Sequence, residues 1–217
     1  MVEPFALKDC ALIAIATGKQ AQNLRELRDR LEVVHPGCIY HHFWGGLMQA
    51  RFDDPEYPND FAAWAWRSLH DAYLAERLTL IDPTHFKSLE DLRSELIEVI
   101  EERLDEIEYI AWSKASQRFH FIRSQIVLFD TGIRVNEPEE FLRIVPQMPL
   151  GSIFYHFIDA RARTPDGIND FSRWLLSFGL EYSNLAEHLA SIDPYFSTLT
   201  ELRNELSMTF NIYGSGR

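Results

Sequence analysis

The sequence predicts a mainly α protein built as two tandem helical repeats, related by an approximate twofold axis and sharing a core. Three observations predict it. Residues Phe5 to Phe43 realign without a gap onto Phe119 to Phe157, 114 positions later. Helix caps recur at matched positions in the two halves, and apolar residues recur at spacings of three and four. The alignment continues through Asn59-Asp-Phe-Ala-Ala-Trp64 with Asn169-Asp-Phe-Ser-Arg-Trp174, and through Leu74-Ala-Glu-Arg-Leu78 with Leu185-Ala-Glu-His-Leu189. The repeats fall at 5–112 and 119–210, and 211–217 reads as a frayed tail.

The first segment of each repeat carries two periods at once. Phe119, Ile122, Ile126, Phe129 and Ile133 follow helical spacing, whereas Ala11 to Ala16 is a short apolar run that a buried strand would also show. Helix is the preferred reading, with Gly18 and Gly132 as C-caps, and minor β structure at these starts is the alternative. A further pair of helices begins near Asn23 and Asn136 and ends before Gly37 and Gly151. Ile39 to Gln49 and Ile153 to Arg163 then read as helices, with Ser152 the better cap.

A loop of different length follows in the two copies, Phe52 to Pro58 against Thr164 to Ile168, which marks it as surface. At Asn59-Asp60 and Asn169-Asp170 either residue serves to cap the helices Phe61 to Leu80 and Phe171 to Ser191. Asp82-Pro83 and Asp193-Pro194 end those helices, because the residue before proline is pushed out of the helical region. Ser88 with Asp91, and Thr198 with Glu201, are matched capping boxes that open the last helix of each repeat. The apolar positions Leu89, Leu92, Leu96, Ile100, Leu104 and Ile107 carry the first of these to about residue 112, bridging the halves; the second stops near Phe210.

Composition narrows the function classes. The net charge of −12 opposes nucleic acid and anionic membrane surfaces as partners. It is uneven: residues 1–110 carry −10 and residues 111–217 carry −2, with much of the excess between Glu90 and Glu108. No apolar run reaches the roughly 20 residues of a membrane span, and the N-terminus lacks the pattern of a signal peptide, so a cytoplasmic protein is expected. Cys10 and Cys38 face Ser124 and Ser152 in the alignment, which argues against a structural disulfide.

The polar residues held in both copies are the candidates for chemistry. His42 and His156 sit in aromatic blocks and, with Asp60 and Asp170, form the candidate binding set, as hydrogen-bonding partners or as bases oriented by carboxylates. Asp60 and Asp170 are also read as caps. Trp44 and Trp66, unmatched by tryptophan in the second half, are candidates to line a pocket in the first. Glu76 with Arg93, and Glu187 with Arg203, are read as structural ion pairs between adjacent helices. One histidine per repeat is thin for a metal, and neither a His-Glu-x-x-His pattern nor a nucleotide fingerprint occurs, so no metal and no cofactor are called for.

The run Gly/Ser-Ile-(Tyr/Phe)-(His/Tyr)-His-Phe, then Asn-Asp-Phe-x-x-Trp, then Leu-Ala-Glu-x-Leu-x-x-Ile-Asp-Pro resembles a bacterial domain-of-unknown-function family over nearly the whole chain. The resemblance implies a bacterial cytoplasmic protein and brings no activity. The leading expectation is a non-enzymatic binding or regulatory protein whose ligand is a small molecule or a protein. The alternatives are a metal-assisted hydrolase or other enzyme using the His–Asp pairs, and an acidic scaffold docking a basic partner. A homo-oligomer is left open.

Overall fold

The computed structural model describes residues 2–48, 57–106, 113–164, 166–195 and 197–214. Its fold is mixed α/β, a two-stranded antiparallel sheet accompanied by helices, which overturns the mainly α reading with tandem helical repeats. The segments around Thr17 and Thr131 are strands, β1 (Phe5–Ala21) and β2 (Phe119–Val135). Burial explains why a helical period misled. Phe5 and Leu7 on β1, and Phe119 and Phe121 on β2, alternate inward as a half-buried strand demands. Further along, Ile13, Leu128, Phe129 and Ile133 are 43 to 51% exposed, so no inward alternation constrains them. Gly18 and Gly132 both have φ of +74° and lie inside the strands, a backbone state that goes with a β-bulge rather than a helix cap.

The chain forms two compact units. Unit I is Met1–Ala11 with Ile126–Arg217, and unit II is Leu12–Gln125. The boundary therefore runs through the middle of both strands. The start of β1 belongs with the C-terminal helices, and the start of β2 with the N-terminal ones.

In unit II, α1 (Leu24–Leu31) opens on Asn23, whose side chain accepts from the Glu26 N–H, and buries Leu24, Leu27 and Leu31 at the expected spacing. α2 (Pro36–Trp44) is capped by His35 with Pro36 in the first turn. The single helix expected over Phe61 to Leu80 is broken. α3 (Asp60–Trp64) widens into a π-helical turn at Ala65–Leu69, His70 adopts φ +57° in the left-handed region, and α4 (Ala72–Thr79) restarts on an Asp71 cap. α5 (Leu89–Glu106) starts at the Ser88 capping box, in which the Asp91 N–H donates to Ser88 Oγ at 3.1 Å. The expected extension to residue 112 lies outside the described residues, as does most of the Phe52 to Pro58 loop.

In unit I, α6 (Phe141–Ile144) and α7 (Leu150–Ile153) are short. Ser152 is inside α7 rather than capping it. α7 continues as a π-helical turn, Phe154–Asp159, into α8 (Ala160–Arg163). α9 (Asp170–Leu176) is separated from α10 (Ser183–Ser191) by Gly179 at φ +95°, so this second long helix is broken as well. α11 (Leu199–Gly214) runs past Phe210, taking in the first four residues of the expected tail. No helix among the described residues is long and apolar enough to cross a membrane.

Candidate functional site

Each unit is organised around one buried histidine. His42, on α2, is 4% exposed, and His156, in the π-helical turn after α7, is 3% exposed. Phe119 and Phe61 lie against His42 with centroids at 4.6 and 5.3 Å, and Phe5 and Phe171 lie against His156 at 4.7 and 5.9 Å. In each unit one of these rings comes from a strand and one from the helix that opens with Asn-Asp-Phe, so the aromatic blocks read from the sequence pack around the imidazoles.

Both ring nitrogens are committed. Nε2 of His42 accepts from the backbone N–H of Ile122 at 3.2 Å, and Nε2 of His156 accepts from the N–H of Lys8 at 2.9 Å. A peptide N–H can only donate, so each Nε2 carries a lone pair and the proton sits on Nδ1. That proton points at a carboxylate: Nδ1 lies 2.9 Å from Asp60 Oδ2 in unit II and 2.8 Å from Asp170 Oδ2 in unit I. The tautomer follows from hydrogen-bond logic. Each histidine bridges a strand amide to a helix carboxylate.

The neighbouring asparagine explains why Asn and Asp occur together. Asn59 and Asn169 do the capping, accepting from the Ala62 and Ser172 N–H groups, and their amides donate to the carbonyls of Leu78 and Leu189. Asp60 and Asp170 are thereby released from capping to hold the histidines. Trp64 and Trp174 complete the set, donating their indole N–H to the carbonyls of Gln117 and Glu3 just before each strand, at 2.7 Å in both units.

The remaining candidates take other places. Glu76 and Glu187 are exposed, and among the described residues Arg93 and Arg203 make other bonds than the ion pairs expected with them. Arg93 is buried, donates to the carbonyls of Leu31 and Val34, and pairs with Glu90. Arg203 donates to the carbonyl of Met148. Trp44 is buried against Tyr40 and Phe43, while Trp66 is 41% exposed beside Tyr57. Cys10 and Cys38 are both buried free thiols; burial and the nearby Asp159 and Asp9 push the Cys10 thiol up to about 12, which suppresses the nucleophilic thiolate.

His41, His42 and Asp60 bring three ligand-type atoms within 4.8 Å of one another. Burial and, less, the adjacent His42 hold His41 below its ordinary pKa. The set nevertheless fits a cation poorly. A metal on Nδ1 of His42 would move the ring proton to Nε2, where it would face the Ile122 N–H, donor against donor.

The two units differ beside these anchors. In unit I, Tyr155 stands where His41 stands in unit II, and Arg163 joins the carboxylate. Its Nη2 donates to Asp170 Oδ2 at 2.9 Å and to the Tyr155 carbonyl at 3.0 Å, and its Nε donates to Asp159 at 2.6 Å. The guanidinium lies over the Tyr155 ring at 4.0 Å. Burial pushes the Asp170 carboxyl up, but the bonds from His156 and Arg163 outweigh it and leave the group below its usual range. These residues open onto a cleft of about 710 Å³, whose walls include Lys8, Tyr155, Arg163, Asp170, Arg173 and Trp174. A volume of this size is ordinary for a small-molecule site. Reading the sequence for residues shared by both halves passed over Lys8, Arg163 and Arg173, because Ile122, Gln49 and Ala63 stand opposite them.

The fold and these anchors define a mixed α/β protein with two His–Asp-braced units; among the described residues, unit I alone sets an arginine cluster beside its brace. The chain belongs to DUF5752, a family of unknown function, whose pattern matches residues 2–211. It is similar to the solved structure of OrfY from Thermoproteus tenax, with 34% identity and a TM-score of 0.84 over 98% of this chain and 96% of that one. Among curated proteins there is no match.

Proposed function

We propose that this is a non-enzymatic binding protein of the cytoplasm, and that the unit I cleft bounded by Tyr155, Arg163, Asp170 and Trp174 holds a small-molecule ligand. The observation that carries the reading is the commitment of all four imidazole nitrogens of His42 and His156 to a peptide N–H or a carboxylate. A general base needs an available lone pair within reach of substrate, and neither ring offers one. The histidines then serve as braces and the cleft as the place where chemistry meets solvent. Matching bonds at positions 114 apart, such as Thr17 Oγ1 to the Phe121 carbonyl and Thr131 Oγ1 to the Leu7 carbonyl, support an origin by duplication of a segment covering 5–112 and 119–210.

The acidic residues of α5 remain available to the scaffold alternative: Glu101 pairs with Arg28, and Glu102 and Glu106 with Arg77, in exposed pairs worth only about 0–1 kcal/mol that a basic partner would exchange cheaply.

The test is a stability screen against a panel of small metabolites, with parallel assays for turnover. A ligand at 100 times its Kd should raise the unfolding free energy by about 2.7 kcal/mol. The gain should vanish in Trp174→Ala, which leaves the His156–Asp170 bond in place and removes a wall of the cleft, with circular dichroism checking that the fold is retained. Turnover of any panel compound that His156→Gln abolishes while the fold is retained would show an enzyme instead.

A further inference from the structure

Resting on the cleft reading above, we infer that the ligand carries a phosphate group and that Lys8, Arg163 and Arg173 receive it. The chain as a whole has a net charge of −12, yet three cationic side chains are among those that line this cleft. The corresponding positions elsewhere in the chain are Ile122, Gln49 and Ala63, none of them charged. The cations are thus additions to the common brace rather than part of it.

Arg163 is the organising group. Its Nε and Nη2 are held by Asp159, Asp170 and the Tyr155 carbonyl, and Tyr155 supports one face of the guanidinium. Among the described residues its Nη1 makes no hydrogen bond. A guanidinium fixed on three sides presents its remaining N–H groups at little entropic cost, which suits a tetrahedral oxyanion. Arg173 pairs with Asp166, and both side chains are about half exposed, at 44 and 53%. Such a surface pair is worth only about 0–1 kcal/mol, so exchanging Asp166 for a phosphate is cheap. Lys8 lines the cleft from β1, where its backbone N–H is the group that His156 Nε2 accepts from, and its side chain lies within electrostatic reach of Asp130. The acids that line the cleft are Glu3 and Asp170, and the Asp170 charge is already shared between His156 and Arg163.

The test is calorimetric titration of the full chain at low salt with ribose 5-phosphate, ribose and inorganic phosphate. Ribose 5-phosphate should bind, ribose should not, and inorganic phosphate should compete with the former. Arg173→Gln and Lys8→Gln, both at accessible positions outside the brace, should each weaken binding about tenfold, and Arg163→Ala by more. Raising salt should weaken it further. Ribose binding as tightly as its phosphate, with Trp174→Ala abolishing both, would overturn the phosphate inference and leave the cleft reading standing. Binding of the phosphate compounds that no cleft substitution alters would overturn both, and absence of binding by either phosphate compound at millimolar concentration would overturn the inference.

Discussion

His42 with Asp60 and His156 with Asp170 perform the same job with different neighbours. In unit II the Asp60 carboxylate is 44% exposed and accepts from the neutral His42; in unit I Asp170 is 20% exposed, accepts from the neutral His156, and Arg163 adds a cation. What the pairs have in common is the strand amide at Nε2, the carboxylate at Nδ1 and the stacked phenylalanines, all of which belong to folding. What they do not have in common lies at the cleft. The comparison separates what both units hold from what unit I adds: matched positions bind strand to helix in each unit, and the additions of unit I line the cleft proposed above as the ligand site.

The largest effect should come from the braces themselves. His42→Ala or His156→Ala strands a buried strand N–H and a carboxylate and leaves a cavity among aromatic rings, for an expected loss of about 3 kcal/mol in either unit. Glutamine in place of histidine keeps an oxygen that accepts from the strand amide, so His→Gln should recover part of that loss. Chemical denaturation of the four variants checks this. A loss below about 1 kcal/mol in one unit alone would show that the two braces are not equivalent.

A smaller effect, and a sharper contrast, is expected at the glycines that let the strands approach the helices. A Cβ on Gly151 would lie 2.3 Å from the Cys10 carbonyl oxygen and from Asp9 Oδ1, whereas on Gly37 its nearest neighbour would be Arg123 Cγ at 2.8 Å. Backbone cannot step aside as a flexible side chain can. Gly151→Ala should therefore cost about 2 kcal/mol and Gly37→Ala about 1 kcal/mol, read as the difference in denaturation midpoints. Equal costs would mean that the strand in unit I yields as readily as an arginine stem.

Much of the scaffold was legible in the sequence because its signals are local. Asn59, Asn169, Ser88 and Thr198 cap where their residue types and positions predict, and the pairing of His with Asp could be anticipated because both recur. The strands were legible only as the alternative to helix. Ile126, Phe129 and Ile133 happen to fall at helical spacing, and a strand pair exposed along much of its length imposes no alternation to contradict them. Nor did the sequence announce the breaks at His70 and Gly179, which interrupt an otherwise unbroken apolar period. The cleft was missed for a different reason. Searching for residues kept in both halves selects what recurs, and Arg163, Arg173 and Lys8 each stand in one half alone.

The smallest effect separates the two carboxylates by pH. The Asp170 carboxyl lies below its ordinary value in the folded state, so the folded protein holds on to its negative charge more strongly than the unfolded chain does. A depressed carboxylate contributes stability that is fully present above the unfolded value, about 3.9, and is lost as pH falls through the lower folded value. Asp170→Asn should accordingly cost on the order of 1 kcal/mol at neutral pH, through weaker bonds to Arg163 and His156, and the deficit relative to wild type should shrink as pH drops below about 4. Asp60→Asn, with no arginine on its carboxylate among the described residues and more water around it, should cost less at neutral pH. Denaturation curves for both variants from pH 3 to pH 7 decide the matter. A deficit for Asp170→Asn that stays constant over that range would mean that Arg163 is held by Asp159 and the Tyr155 carbonyl alone, and that the charge of Asp170 contributes nothing to setting the guanidinium in the cleft.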